Sequence, residues 1–337
     1  MARLRLSTAS RRGGSAGHRA TGTGLVVGIA VLVLAGCSSA SPLATAHKVA
    51  PAPAHRAPST TATPKHRAPT STITEQPGWT VVSRLQTGIA VDSRHSRQSD
   101  GDSVSVLRFH AGLVHYALHV GTIDPPTAGV ALPADVQPAI GAHEHAQLLA
   151  AFNGGFKMTG VGCIPCGVGG MEVAGRVLVP LVKGMTSLVL DHHGRASMGV
   201  WGRGFPPAGA NVAGVRQTLP PLVLGGRASP NVGDVAAWGA TLGGGNLTAR
   251  SAVGIDARGN LLYAGSMLAL PSDMAHALVK AGAVTAMELD INPEWVQADT
   301  ASAPGGPLKA AVLAQYRPAD QYLSGWTRDY VTVLSGP

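Results

Sequence analysis

Pro271-Ser272-Asp273-Met274-Ala275-His276-Ala277-Leu278-Val279-Lys280-Ala281-Gly282-Ala283-Val284-Thr285-Ala286-Met287-Glu288-Leu289-Asp290 reads as one helix feeding one strand. Pro271 and Ser272 open the helix, Met274, Leu278 and Ala281 share one face, and Gly282 stops it. Val284 to Asp290 then runs as an apolar strand that ends in acids. Outward from this unit the pattern is mostly period two. Trp79–Val82, Val104–Phe109 and Leu113–Val120 are rich in β-branched and aromatic residues and read as an N-terminal antiparallel group. Ser187–Leu190 and Ala196–Trp201 flank a glycine-containing turn at Asp191–Arg195, as Arg250–Ala257 and Leu261–Ala264 flank Arg258-Gly259-Asn260, so both are expected hairpins. A second, short helix is expected over Ala142–Ala150. The predicted fold is a single α+β domain over residues 77–337, β-rich, with a mixed or antiparallel sheet and a few packed helices.

The chain ahead of that domain has a different character. The apolar run Gly24–Ala35 follows an acid-free stretch carrying Arg3, Arg5, Arg11, Arg12 and Arg19, and it closes on Leu34-Ala35-Gly36-Cys37. A spanning helix needs about 20 apolar residues, so residues 1–36 read as a signal peptide with cleavage before Cys37. This is the pattern of a bacterial lipobox, in which the new N-terminal cysteine is lipidated and held at the outer face of the cytoplasmic membrane. An uncleaved anchor is the alternative, and either one exports the rest. Residues 37–76 are Ala-, Pro- and Thr-rich without apolar periodicity and read as a disordered tether.

The excess charge of +8 lies in the leader and tether. Residues 1–76 hold nine of the 26 Lys and Arg and one of the 18 acids, which leaves 17 of each sign beyond. Such a distribution gives no case for nucleic acid and suits a tether lying near an anionic membrane or wall polymer. With Cys37 lipidated, Cys163-Ile164-Pro165-Cys166 is the one remaining pair. A small disulfide staple, a redox pair and half a metal site are its three readings.

Chemistry concentrates at three places. Asn153 stands where an apolar strand gives way to Gly154 and Gly155, which permit close approach and leave N–H groups to face an anion, or else form a tight turn. Lys157 follows, either meeting a phosphate or lying on the surface. Arg250 opens a strand of small residues, and its planar guanidinium suits bidentate phosphate binding, although a strand-start arginine is also commonly solvated. Glu288 and Asp290, two apart on an apolar strand, project to one face. Two such carboxylates are costly unless paired or functional, and proximity drives their pKa values apart, leaving one as proton donor. Salt bridges or a divalent cation site are the competing readings. Glu294, with Trp295 as a sugar-stacking platform, sits on a turn set by Pro293. His143-Glu144-His145 lacks the spacing that puts two rings on one side of a helix, so no histidine metal site is expected. Beyond the leader, whose Gly13-Gly14-Ser15-Ala16-Gly17 has no strand before it, there is no Gly-x-Ser-x-Gly elbow, and the chain has no Gly-Lys-Ser/Thr phosphate loop.

Ala151-Phe152-Asn153-Gly154-Gly155-Phe156, Arg250-Ser251-Ala252-Val253-Gly254-Ile255 and Ala286-Met287-Glu288-Leu289-Asp290 resemble, in order and spacing, the motifs of the phosphodiester glycosidase family. The likeness runs from about residue 110 to the end, with Lys183–Leu188 and Leu222–Gly226 as connecting strands. The third motif departs from the family pattern. Glu288 stands for its asparagine, and Ile291-Asn292-Pro293-Glu294-Trp295 replaces its glycine run and serine. The resemblance implies hydrolysis of a sugar-1-phosphodiester, with Arg250 and the Asn153-Gly154-Gly155 backbone on the phosphate and Glu288 and Asp290 catalytic; Lys157 and Glu294 join the expected substrate-binding set from their positions alone. The implied partner is a carbohydrate or sugar-phosphate polymer, with no cofactor required and a divalent cation left open. A non-catalytic lipoprotein that binds envelope glycopolymer through the same pocket is the alternative. Metabolic labelling with a fatty-acid analogue should tag the native protein and spare Cys37→Ala; equal labelling of both would rule out the lipid anchor.

Overall fold

The computed structural model describes residues 75–97, 103–124, 136–158, 169–239 and 245–336. Cys37, the leader, the tether up to residue 74, and Cys163 and Cys166 lie outside the described residues. Within them the chain is mostly β. Eighteen strands form three sheets, all of whose strand pairs are antiparallel. This corrects the α+β expectation of several packed helices. Of the two α-helices among the described residues, Ala142–His145 is a single turn that buries nothing, and only Pro271–Ala281 packs. The apolar stretch expected to continue the first helix instead forms the strand Leu148–Asn153, buried at all six positions. A strand covered on both faces loses its alternation, so its sequence reads like a buried helix.

The largest sheet runs Thr80–Leu85, Gly88–Ser96, Val104–Phe109, Leu261–Ala269, Thr248–Asp256, Ala283–Glu288, Val223–Leu224 and Arg227–Ala228 in spatial order. A second sheet orders Arg176–Val179, Met171–Val173, Val212–Gln217, Thr186–Asp191 and Ala196–Val200. The third orders Lys309–Ala310, Ala298–Thr300, Leu148–Asn153, Tyr330–Ser335 and Val114–His119. Val114–His119 thus leaves the N-terminal group it was expected to join and pairs with the last strand of the chain. Alternation fixes which face of a strand is buried; it does not choose the neighbour.

The helix Pro271–Ala281 lies on the largest sheet and buries Met274, Ala275 and Leu278 completely. Its core also takes in Phe156, Leu222, Val223, Trp238, Leu262 and Ala286. Gly282 ends the helix at φ +102°, where a side chain would be strained. A separate core draws on all three sheets. Phe109 stacks on Phe152 at 5.8 Å, Phe152 meets Tyr263 at 5.2 Å, and Leu188, Leu190, Val331 and Met287 close around them.

The strand Leu148–Asn153 ends in a crowded place. Gly154 donates its N–H to the Asp329 carbonyl at 2.8 Å, and a Cβ added at Gly154 would sit 1.8 Å from Asp329 Oδ2. A Cβ at Gly155 would meet Arg216 Nη2 at 2.8 Å. Gly154→Ala should therefore cost about 1–3 kcal/mol by overpacking. Gly233→Ala, with nothing within 4 Å, should stay within about 0.5 kcal/mol of wild type. Urea denaturation of the two variants measures the difference, and equal midpoints would refute the crowding.

Candidate functional site

Arg250 and Glu288 meet because of register. Ala252 lies directly opposite Glu288 on the neighbouring strand, so Arg250, two residues away, projects from the same face as the acid. Arg250 Nη1 donates to Glu288 Oε1 at 2.6 Å, and both side chains are fully buried. The rest of the guanidinium is partly spoken for: Nε donates to the Ala269 carbonyl at 3.1 Å and Nη1 to that of Trp238 at 3.2 Å. Nη2 of Arg250 and Oε2 of Glu288 have no hydrogen-bond partner. Native interiors rarely leave such atoms orphaned.

Asp290 lies just past the strand end. Its Oδ1 accepts the backbone N–H groups of Ile291 (2.8 Å) and Asn292 (2.9 Å), and its Oδ2 accepts from Arg328 Nη1 at 2.6 Å. Arg328 also donates through Nη2 to the Gly155 carbonyl at 3.2 Å. Asn153 joins the same network through Nδ2, which donates to Ser251 Oγ at 2.9 Å, while Ser251 Oγ accepts the Asp290 N–H at 3.0 Å. Tyr263 donates its hydroxyl to Asn153 Oδ1 at 2.9 Å, which leaves that side chain one orientation. A third pair completes the cluster: Arg216 Nε donates to Asp329 Oδ2 at 2.7 Å, and its Nη2 to the Phe156 carbonyl at 2.6 Å. Asp329 Oδ1 is a further orphan.

Burial sets the electrostatics. It pushes the Glu288 carboxyl up to about 7, against the pull of Arg250, with the Asp290 charge adding to the rise. Burial likewise raises Asp290, opposed by Arg328 and the two backbone N–H groups. Each acid therefore holds its proton more readily than an exposed carboxyl.

The structure brings Asn153, Gly154, Gly155, Arg250, Glu288 and Asp290 into one cluster. Lys157 is exposed, and Glu294 is exposed and paired with Arg317 at 2.8 Å. The Gly154 N–H, expected to face an anion, is spent on Asp329. Arg216, Arg328, Asp329, Ser251 and Tyr263 complete the cluster. Of these the sequence signalled Arg216 most clearly, an arginine within the small-residue strand Val212–Gln217, the signal Arg250 also carries. Glu144 turns inward to His119 at 2.8 Å and to Thr332 at 2.5 Å, away from any shared site with His143. Among the described residues no group of three or more His, Cys, Asp or Glu is placed to hold a metal ion. An open cleft of about 870 Å³ lies elsewhere, beside His115, Tyr116, Leu118, His192 and Gly214, and none of the cluster lines it.

No protein-family profile matches the chain, and no curated protein matches it in sequence. Among solved structures it is similar to the catalytic domain of zebrafish N-acetylglucosamine-1-phosphodiester alpha-N-acetylglucosaminidase auto-inhibited by its pro-peptide, at 13% identity and TM-score 0.46, over 77% of this chain and 88% of that one. A hypothetical protein from Synechocystis is similar at 12% identity and TM-score 0.39, over 74% and 63%. At these scores no residue role is carried over.

The raised carboxyls make a stability prediction. Because the folded state holds these protons above the unfolded values near 4, it binds more protons than the unfolded chain. The contribution of these two acids to stability is thus full at low pH, and that of Glu288 is lost as pH rises from about 4 through about 7. Glu288→Gln should flatten that part of the slope in denaturation midpoints measured across pH. An unchanged slope would mean Glu288 is ionised throughout.

Proposed function

We propose that this protein is an exported, lipid-anchored hydrolase that cleaves the glycosidic bond of a sugar-1-phosphodiester in an envelope or extracellular glycoconjugate. The observation that carries the reading is the fully buried Arg250–Glu288 pair, which leaves one guanidinium N–H group and one carboxyl oxygen unused beside Asp290. The sequence motifs that hold these residues, and the lipobox at Cys37, supply the substrate class and the location.

In this reaction a water oxygen bonds to the anomeric carbon while the bond from that carbon to the phosphate oxygen breaks, giving a free sugar and a phosphate monoester. The leaving group is a good one, with a second pKa of about 6, so it needs charge neutralisation more than full protonation. Arg250 Nη2 supplies the charge, and Glu288, with a carboxyl near 7, carries a proton available at neutral pH. Asp290, steered by Arg328 and two N–H groups, faces the positive charge that develops at the anomeric carbon. A divalent cation is not part of this reading, since each carboxylate already faces a guanidinium that would repel it.

The saturation of Asp290 favours a second reading. Both its oxygens are bonded and its side chain is 4% exposed, which suits a non-catalytic module that binds glycopolymer. Turnover separates the two. Full-length protein in detergent, given a panel of hexose 1-(methyl phosphate) diesters, should hydrolyse at least one. Glu288→Gln should lower that rate by about 10²–10⁴-fold, and Arg250→Lys should chiefly raise KM. No turnover by wild type, with glycopolymer still bound, would establish the binding module. Near-normal rates in both Glu288→Gln and Asp290→Asn would remove the active site from this strand.

A further inference from the structure

Trp326 is 53% exposed, one of the most exposed large apolar side chains among the described residues. An indole left in water is held there at a cost of roughly 1–2 kcal/mol relative to burial, yet this one is fixed. The Arg317 guanidinium lies over its ring at 5.0 Å and over that of Trp295 at 4.9 Å, and the two indoles sit 6.1 Å apart. Arg317 is anchored in turn, with Nη2 2.8 Å from Glu294 Oε2 and Nε donating to the Glu294 carbonyl at 3.2 Å. The Trp326 carbonyl accepts from Gln321 Nε2, and its N–H donates to Ser324 Oγ at 3.3 Å.

This shelf belongs to the neighbourhood of the carboxylate cluster. Trp295 has a second guanidinium over it, that of Arg328 at 5.4 Å, and Arg328 is the residue that holds Asp290. Trp326 is two residues before Arg328 and three before Asp329, so one short segment carries both the exposed ring and two members of the buried cluster. Trp295, the aromatic platform expected from the sequence, lies under two guanidinium groups; Trp326 carries one and faces solvent.

We infer that Trp326, with the Glu294-held Arg317 over one side of its ring and its other side toward solvent, is a stacking subsite for a pyranose ring of a glycan chain, outside the candidate active site. The electron-rich face of an indole attracts the C–H groups on the apolar side of a pyranose. Next to the ring, the Arg317 guanidinium supplies donors and the half-exposed Glu294 carboxylate supplies acceptors that match vicinal hydroxyls. The shelf is rigid before a ligand arrives, so little ordering is lost on binding. The inference rests on the carbohydrate ligand of the proposed function but not on hydrolysis, and it extends the substrate from a single sugar to an oligosaccharide.

The test uses neutral probes, which carry no phosphodiester. Full-length protein in detergent is titrated with maltotetraose, cellotetraose and chitotetraose while tryptophan fluorescence and titration heat are followed. At least one should bind wild type; Trp326→Ala should weaken it by about tenfold or more, and Trp326→Tyr, which keeps a ring, should recover part of the loss. Arg317→Ala, which frees the ring to move, should weaken it less than Trp326→Ala. Failure of all three tetrasaccharides to bind wild type, or equal binding by wild type and Trp326→Ala, overturns the subsite. So does a dimer in light scattering that Trp326→Ala dissociates, which would make the shelf a contact between copies. Hydrolysis of the hexose 1-(methyl phosphate) panel is scored separately. Tetrasaccharide binding that depends on Trp326 in a protein without turnover would retain the subsite and discard the hydrolase.

Discussion

Three guanidinium groups in a dry interior are what the rest of this structure has to satisfy. Arginine does not give up its proton in a protein, so Arg216, Arg250 and Arg328, all at most 6% exposed along their side chains where paired, each require a carboxyl oxygen to accept from them. The partners come from elsewhere: Asp329 for Arg216, Glu288 for Arg250, Asp290 for Arg328. Arg216 belongs to one sheet, Arg250 to another, and Arg328 with Asp329 leads into the last strand of the third. Satisfying the three charges therefore fixes where the three sheets meet. Taking away one partner would leave a buried charge alone, at a cost of about 3–5 kcal/mol.

The same requirement explains the backbone around Asn153. Side chains of Arg216 and Asp329 crowd Gly154 and Gly155 so closely that no Cβ fits without displacing them. The glycines serve the approach of charged side chains at least as much as the approach of a ligand. Asn153 is then fixed by Tyr263 and Ser251, and Ser251 in turn fixes the Asp290 backbone. A polar network this completely bonded makes its few exceptions informative. Arg250 Nη2, Arg328 Nε, Glu288 Oε2 and Asp329 Oδ1 are donor and acceptor positions in this cluster that make no hydrogen bond.

The segment from Trp326 to Asp329 joins surface and interior. Its first residue lies in solvent over a stacked arginine, and its last two reach into the cluster. Trp295 lies against both Arg317 and Arg328. The exposed shelf and the buried acids form one structural unit, although the residues between them are few.

By itself the sequence determined part of the strand set, among them the hairpin Thr248–Asp256 with Leu261–Ala269, together with the one packed helix and its turn glycines, because period-two and helical spacing are local properties of the chain. It also marked Asn153, Arg250, Glu288 and Asp290, since a charged or amide side chain at the end of an apolar run is visible without a fold. The first half of Leu148–Asn153 reads as helix because burial on both faces erases alternation, and with it went the α+β reading. Only the tertiary structure decided which strands became neighbours, that Arg328, Arg216 and Asp329 join the cluster, and that Trp326 is left half-exposed beside Arg317. Those residues lie far along the chain from their partners, as Arg328 lies 173 positions from Gly155. Pairing over such distances follows from which charges must be neutralised once the sheets close, and no local pattern records it.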